Sequence, residues 1–244
     1  MQWGLPVDAS AHGPALDRHL ILNLWIALAL LVLAHLLLCL GLLLRRRREP
    51  RTNPFVLALL EYLPVTGLAL LFALLGLRAE QLWAQMRYVG ADPAALQVEA
   101  TGMQFAWYFR YPGDDYRFGR TRPELISPAE GNPLGIDPAD AGGKDDFVTS
   151  ELVLPVGREV DVRLHAQDVI HGFAVPALRV KQNAVPGQDL HIHFTPTVRG
   201  TYAILCTQLC GAGHYRMTAN LRVVSPEAFE SWRAGHEAAQ KAMP

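Results

Sequence analysis

From Leu20 to Leu44 the chain runs without a single Asp, Glu, Lys or Arg, a stretch of mostly Leu, Ile, Ala and Val in which Asn23 and His35 are the main polar residues. At about 1.5 Å of rise per residue such a helix is roughly 38 Å long, more than the about 30 Å hydrocarbon core of a bilayer. This predicts a membrane-spanning helix over residues 20–44. A second apolar run predicts another over residues 55–78. It contains Glu61 and Pro64, which a spanning helix tolerates where neighbouring protein buries the acid and satisfies the freed backbone groups. Two buried core helices of a soluble protein are the competing reading. Between the runs lies a loop over residues 45–54 with five arginines and one acid, and the bias of basic residues toward the cytoplasmic side places it in the cytoplasm. The N-terminal segment, residues 1–19, and everything after the second span are then extracytoplasmic. The first span has no basic region ahead of it and is followed by the arginine block, so it is expected to be retained rather than cleaved as a signal peptide.

Residues 79–95 read as a connecting segment that leaves the membrane as a helix, with Trp83, Met86 and Tyr88 at the interface. From Leu96 the pattern changes to short segments punctuated by Gly and Pro. Strands are predicted over residues 97–109, 147–154, 159–166, 188–194, 200–205 and 219–224, several of them alternating polar and apolar residues. Many short strands with turn signals between them imply a β-sandwich over residues 96–225. Residues 111–146, rich in Gly, Pro and Asp, read as a long surface insertion. Ser225-Pro226-Glu227 is a helix start, so residues 226–244 form a C-terminal helix and tail. With 22 basic against 23 acidic residues and a formal net charge of -1, the chain lacks the basic excess that a nucleic-acid partner calls for.

The densest chemistry is Cys206-Thr207-Gln208-Leu209-Cys210-Gly211-Ala212-Gly213-His214-Tyr215-Arg216-Met217. Two thiols, an imidazole and a thioether within twelve residues are soft or borderline ligands, and soft ligation favours copper. The Cys-x3-Cys spacing by itself also suits a disulfide in an oxidising compartment. Structural zinc accepts Cys and His but does not habitually take Met. A mononuclear blue-copper site needs one cysteine and would leave Cys206 surplus. Two cysteines on one loop suit a copper pair bridged by both sulfurs, completed by a second imidazole from elsewhere in the domain. The candidates for it are His165, His171, His191, His193 and His236. His165, His191 and His193 read as strand surface residues, whereas His171 reads as part of a loop whose apolar flanks would shield a site.

These residues, together with Asp168 to Phe173, Val180 to Gly187 and Gln104-Phe105-Ala106-Trp107, resemble subunit II of haem-copper oxidases of the cytochrome c oxidase type, over nearly the whole chain. The resemblance implies an α+β membrane protein: a two-helix transmembrane hairpin followed by an extracytoplasmic cupredoxin-like Greek-key β-sandwich. It implies a binuclear copper centre, CuA, held by His171, Cys206, Cys210, His214, Met217 and the main-chain carbonyl of Gln208. That centre would accept electrons from cytochrome c or a similar donor and pass them to haem in subunit I, where oxygen is reduced to water with proton translocation. The implied partners are subunit I, other oxidase subunits and the lipid bilayer. The implied location is a bacterial-type cytoplasmic (inner) membrane, with the N-terminus and the copper domain on the periplasmic side.

The sequence departs from the family pattern at three places. Gln208 stands where the family usually has a Glu that also binds magnesium, so that carboxylate is missing. Phe105 stands at the aromatic position where electrons usually arrive, with Trp107 two residues on. Leu57 occupies the usual place of a glutamate at the mouth of a proton path, and Glu61, one helical turn away, is the candidate replacement. No Cys-x-x-Cys-His occurs, so no haem is expected in this chain. A CuA subunit of a nitric oxide reductase and a membrane-anchored copper-delivery protein are the alternative functions.

Overall fold

The structure is a computed structural model that describes residues 4–45 and 53–241. Among them, α1 (Gly13–Arg45) and α2 (Pro54–Arg87) are long and apolar enough to cross a membrane. Asn53 caps α2 through its side-chain oxygen, which accepts from the Phe55 amide, and Pro54 sits at the first helical position, where its missing N–H costs nothing. Both helices extend beyond the predicted spans: α1 begins at Gly13, and α2 continues without a break to Arg87. Residues 46–52, which hold most of the arginine-rich loop, lie outside the described residues.

The chain divides into two compact units, one with both long helices over residues 15–88 and one built from residues 4–14 with 89–241. The second unit is a β-sandwich. Its strands are β1 (Leu96–Met103), β2 (Ala106–Tyr111), β3 (Phe147–Thr149), β4 (Glu151–Pro155), β5 (Val160–Ala166), β6 (His171–Val175), β7 (Val180–Ala184), β8 (Leu190–Phe194), β9 (Gly200–Cys206) and β10 (Thr218–Val224). One sheet runs β3-β2-β1-β5-β8 and the other β4-β10-β9-β6-β7. Val98, Ala100, Trp107, Phe109, Leu152, Leu154, Val162, Leu164, Phe173, Ile204 and Leu221 fill the space between the sheets.

Three strand expectations need correction. The run 97–109 is two strands, turned at Gln104-Phe105 so that Met103 pairs with Ala106. The run 147–154 breaks at Ser150, where the chain leaves one sheet and joins the other, the usual way a strand makes a sandwich corner. His171 is the first residue of β6, not part of a loop; β6 is buried throughout and therefore lacks the alternation that marks a half-exposed strand.

The residues ahead of α1 are woven into this sandwich. The Ala9 amide donates to Ala177 O at 2.8 Å, Ala9 O accepts from the Thr197 amide at 2.7 Å, and the Ala11 amide donates to Thr195 O at 3.0 Å. Ala9 and Ser10 are buried. The segment before α1 and the sandwich therefore lie on one side of any membrane that α1 and α2 cross.

The insertion over residues 111–146 is more than a surface loop, because its end is anchored by a buried charge cluster. Arg110 on β2 donates to Glu99 on β1 at 3.0 Å, to Gly119 O at 2.6 Å and to Asp146, while the Gly119 amide also donates to Asp146. Next to it, α3 (Pro226–Lys241) is capped by Ser225, whose hydroxyl accepts from the Ala228 amide, and packs Phe229 and Trp232 against Tyr111 and Phe147.

Truncating Arg110 to Met would leave Glu99 and Asp146 buried around an uncharged side chain, and breaking such a cluster from one side costs roughly 3–5 kcal/mol. The expected result is a lowered urea midpoint for the domain in the detergent-solubilised full chain, followed by circular dichroism.

Candidate metal centre

The hairpin turn between β1 and β2, the start of β6 and the loop between β9 and β10 meet at one end of the sandwich, and the soft donors gather there. Cys206 ends β9. Its Sγ lies 3.8 Å from Cys210 Sγ and 3.3 Å from the main-chain oxygen of Gln208. Cys210 Sγ lies 3.6 Å from His214 Nδ1 and 3.8 Å from Met217 Sδ. His171 joins the two thiols in a group whose ligand atoms all lie within 4.8 Å of one another. The structure therefore brings together His171, Cys206, Gln208, Cys210, His214 and Met217. Both sulfurs are free thiols rather than a disulfide.

The loop keeps this shape through its own backbone. The Cys206 amide donates to Met217 O, the His214 amide to Gly211 O and the Met217 amide to His214 O, which folds the ends of the loop together. Gly172 lets it approach β6: a Cβ there would come within 2.7 Å of the Gln208 amide nitrogen, where the Thr207 amide donates to Gly172 O. The Phe105 ring lies over Gly211 and Gly213, leaving no space for a side chain at Gly213.

Asp168 ties the three segments to one another. Its carboxylate accepts from the Gln104 amide at 2.8 Å, from the Val169 amide at 2.7 Å and from His171 Nε2 at 2.8 Å. Partial burial alone would raise its pKa, but the bonds from His171 and the two amides hold it below the usual carboxylate range. Because a carboxylate can only accept, His171 carries its proton on Nε2. Its Nδ1 is then a bare lone pair, fully buried and without a hydrogen-bond partner. An orphaned imidazole lone pair beside two thiols is what a metal ligand looks like before the metal arrives, so the donor set fits a soft cation of the copper class. Burial, reinforced by the neighbouring Cys206, pushes the Cys210 thiol up to about 11, so metal binding must displace protons from the pair.

The other sequence candidates lie elsewhere. His165 on β5 and His191 and His193 on β8 face outward from the first sheet, and His236 packs on Trp232 in α3. Trp107 is buried with its ring edge-on to His171, centroids 6.0 Å apart, whereas Phe105 is partly exposed over the metal loop. Glu61 is exposed on α2, four residues after Leu57. Gln104 was legible only as part of an aromatic motif; its role is structural, the side-chain amide donating to Cys210 O at 2.6 Å. Asp168 buttresses His171 through the bond to its Nε2.

A family model described as cytochrome c oxidase subunit II, periplasmic domain, matches residues 96–224. The alternative cytochrome c oxidase subunit 2 of Bradyrhizobium diazoefficiens is 40% identical over 153 residues, covering 62% of this chain and 54% of that protein. Cytochrome c oxidase subunit 2 of Thermostichus vulcanus is 36% identical over 156 residues, covering 62% of this chain and 38% of that one. The chain thus spans about half or less of the length of these relatives. The crystal structure of the periplasmic domain of subunit II of cytochrome oxidase from Bradyrhizobium japonicum aligns with 62% of this chain and 99% of its own, at 29% identity and a TM-score of 0.46. With its two apolar helices and a periplasmic-domain family match, this is a membrane-anchored protein with an extracytoplasmic domain.

Asp168→Asn keeps the size of the side chain but weakens the acceptor that fixes the His171 tautomer. Loss of such a supporting group typically costs 10–100-fold in metal affinity. Copper titration of the full chain against a chelator should show a drop of about that size with the thermal unfolding profile of the sandwich retained.

Proposed function

The chain belongs to the cytochrome c oxidase subunit II family, and on that premise we propose that it is the electron-accepting subunit of a terminal oxidase. His171, Cys206, Cys210, His214, Met217 and the main-chain oxygen of Gln208 would hold a binuclear copper centre. The observation that carries this reading is the pair of free thiols 3.8 Å apart with the unpartnered Nδ1 of buried His171 beside them. When bound, the copper pair supplies a one-electron couple whose unpaired electron is spread over two metal ions.

The work of the chain's own residues is positional. Asp168 holds His171 in the tautomer that offers Nδ1. Gln104 fixes the Cys210 carbonyl, and Gly172 admits the Thr207-Gln208 backbone. Met217 and His171 are buried, which excludes water from one side of the ligand set. A scaffold this constrained moves few atoms when charge changes, which is what rapid electron transfer requires. Phe105 and Trp107 are the candidate aromatics between a docked donor and the centre: Phe105 is the one the donor meets, and Trp107 is the one in contact with His171.

In this reading the donor is cytochrome c or a similar protein, and the electron passes to haem in subunit I, where oxygen reduction and proton translocation take place. The chain sits in a bacterial-type inner membrane with its arginine-rich loop in the cytoplasm. Gln208 offers a main-chain oxygen to copper but no carboxylate to magnesium, a hard cation that favours one. Glu61 serves at the entrance of the proton path in place of the acid missing at Leu57, a role supported by the cost of placing an acid in a lipid-facing helix without function.

Electron paramagnetic resonance of the oxidised, copper-loaded full chain tests the centre directly. An electron shared equally by two copper nuclei gives seven hyperfine lines, and a single copper gives four; the four-line spectrum would overturn the binuclear assignment. For Glu61, the assembled oxidase carrying Glu61→Gln should lose turnover or pumping, and unchanged values for both would remove the residue from the path.

A further inference from the structure

The segment ahead of α1 is tied to the sandwich by a short row of hydrogen bonds, and a half-buried histidine sits at the inner end of that row. The amides of Ala9, Ala11 and Thr197 make the row, with Ser10 facing Pro196 in antiparallel register. Two residues further in the same register, His12 comes level with Phe194, the neighbour of His193 on β8. The Ser10 hydroxyl accepts from the Gly13 amide at 3.1 Å and lies 3.4 Å from Asp8 Oδ1, so His12 is held in a tight turn where α1 begins. Across from it the Arg179 guanidinium donates to Pro6 O at 2.9 Å and to Pro176 O at 2.7 Å.

His12 Nε2 and His193 Nε2 are both buried without a hydrogen-bond partner, so neither serves the other. His193 Nδ1 lies 3.0 Å from Glu159 Oε1 and donates to it, which leaves its Nε2 a bare lone pair. A neutral imidazole tolerates such a site, because one of its nitrogens always goes without a proton. A charged imidazole does not. Both of its nitrogens are donors, and an N–H on His12 Nε2 would be buried with no acceptor to receive it.

The surroundings of His12 oppose its charge in the same sense. Burial holds the ring below the ordinary imidazole value of about 6.5, and it outweighs the Leu178 carbonyl and Asp8, which favour a proton there. His193 on β8 and Arg179 after the Pro176–Leu178 turn add to the depression, and Glu159, the nearest other acid of that edge, is engaged by His193. When residues 4–12 lift away from the sandwich, the ring returns to water and to its ordinary value. The open form therefore binds more protons than the closed one as the pH falls through about 6.5, and acid shifts the balance toward opening. Well above that pH the ring is neutral in both forms and the balance does not change with pH.

We propose that His12 makes this seam an acid-sensitive clasp, which holds the segment ahead of α1 on the sandwich at neutral pH and releases it when the extracytoplasmic side acidifies. The test is hydrogen–deuterium exchange of the detergent-solubilised full chain, read by mass spectrometry at about pH 7.5 and about pH 5.5 and corrected for the intrinsic rate of amide exchange. Peptides carrying the Ala9, Ala11 and Thr197 amides should lose protection by at least about 3-fold at the lower pH, while β10 keeps its own, which separates opening of the seam from unfolding of the domain. Exchange at the His12 Cε1 carbon, followed between about pH 5 and about pH 8, reads the ring itself and should give a midpoint below about 6.5. His12→Asn keeps a short amide donor but cannot gain a proton, and it should abolish the difference between the two pH values. Equal protection at both pH values, an equal loss in β10, a His12 midpoint at or above about 6.5, or a pH dependence that survives His12→Asn would each overturn the proposal.

Discussion

Asp168 accepts hydrogen bonds from the Gln104 amide, the Val169 amide and the His171 ring, and through it segments sixty-four residues apart are held at the end of the sandwich. A neutral imidazole has two tautomers, and only one leaves Nδ1 free to bind a metal. The carboxylate selects that tautomer, and the same contact draws the β1-β2 turn down onto the metal loop. Without this constraint the thiols of Cys206 and Cys210 would still lie close together, but the imidazole from the neighbouring strand would not be presented to them. Local chain geometry delivers the sulfurs, β6 brings the imidazole beside them, and Asp168, three residues before His171, fixes which ring nitrogen is left free.

The rest of the domain can be understood as the support for that end. Trp107 and Phe173 pack edge to face beneath His171, so the ring is held by carbon on one side and by Asp168 on the other. The glycines around the loop are there because backbone and rings approach too closely for a Cβ. The two long helices follow a different physics, that of apolar length against bilayer thickness.

How much of this was readable in advance depended on how local each feature is. The sulfur and imidazole donors of the loop fall within twelve residues, so their chemistry was visible as a string of letters. The two long helices were visible for the same reason, since a run of apolar residues needs no partner to be recognised. His171 stood out only from its flanks and the family resemblance, because the contact that makes it a ligand lies across the fold. The turn at Gln104-Phe105 was not legible, since neither residue is a turn former and the break is imposed by packing against the metal loop. The switch of sheets at Ser150 was hidden inside a β-prone run that continues on both sides of it. The Arg110 cluster could not be seen at all: a single arginine in an apolar strand looks like an outward-facing residue until the insertion folds over it.

The segment before the first helix has a bearing on how the molecule is made. Ala9 closes its hydrogen bond with Thr197, a partner 188 positions later by the difference of their numbers, so the segment ahead of α1 cannot complete its pairing until that part of the sandwich has been made. Until the later strands have been carried across the bilayer, that seam stays open and the edge it will cover remains bare. A chain halted before Thr195 and Thr197 are in place would leave the Ala9 carbonyl and the Ala11 amide without the partners that close this seam.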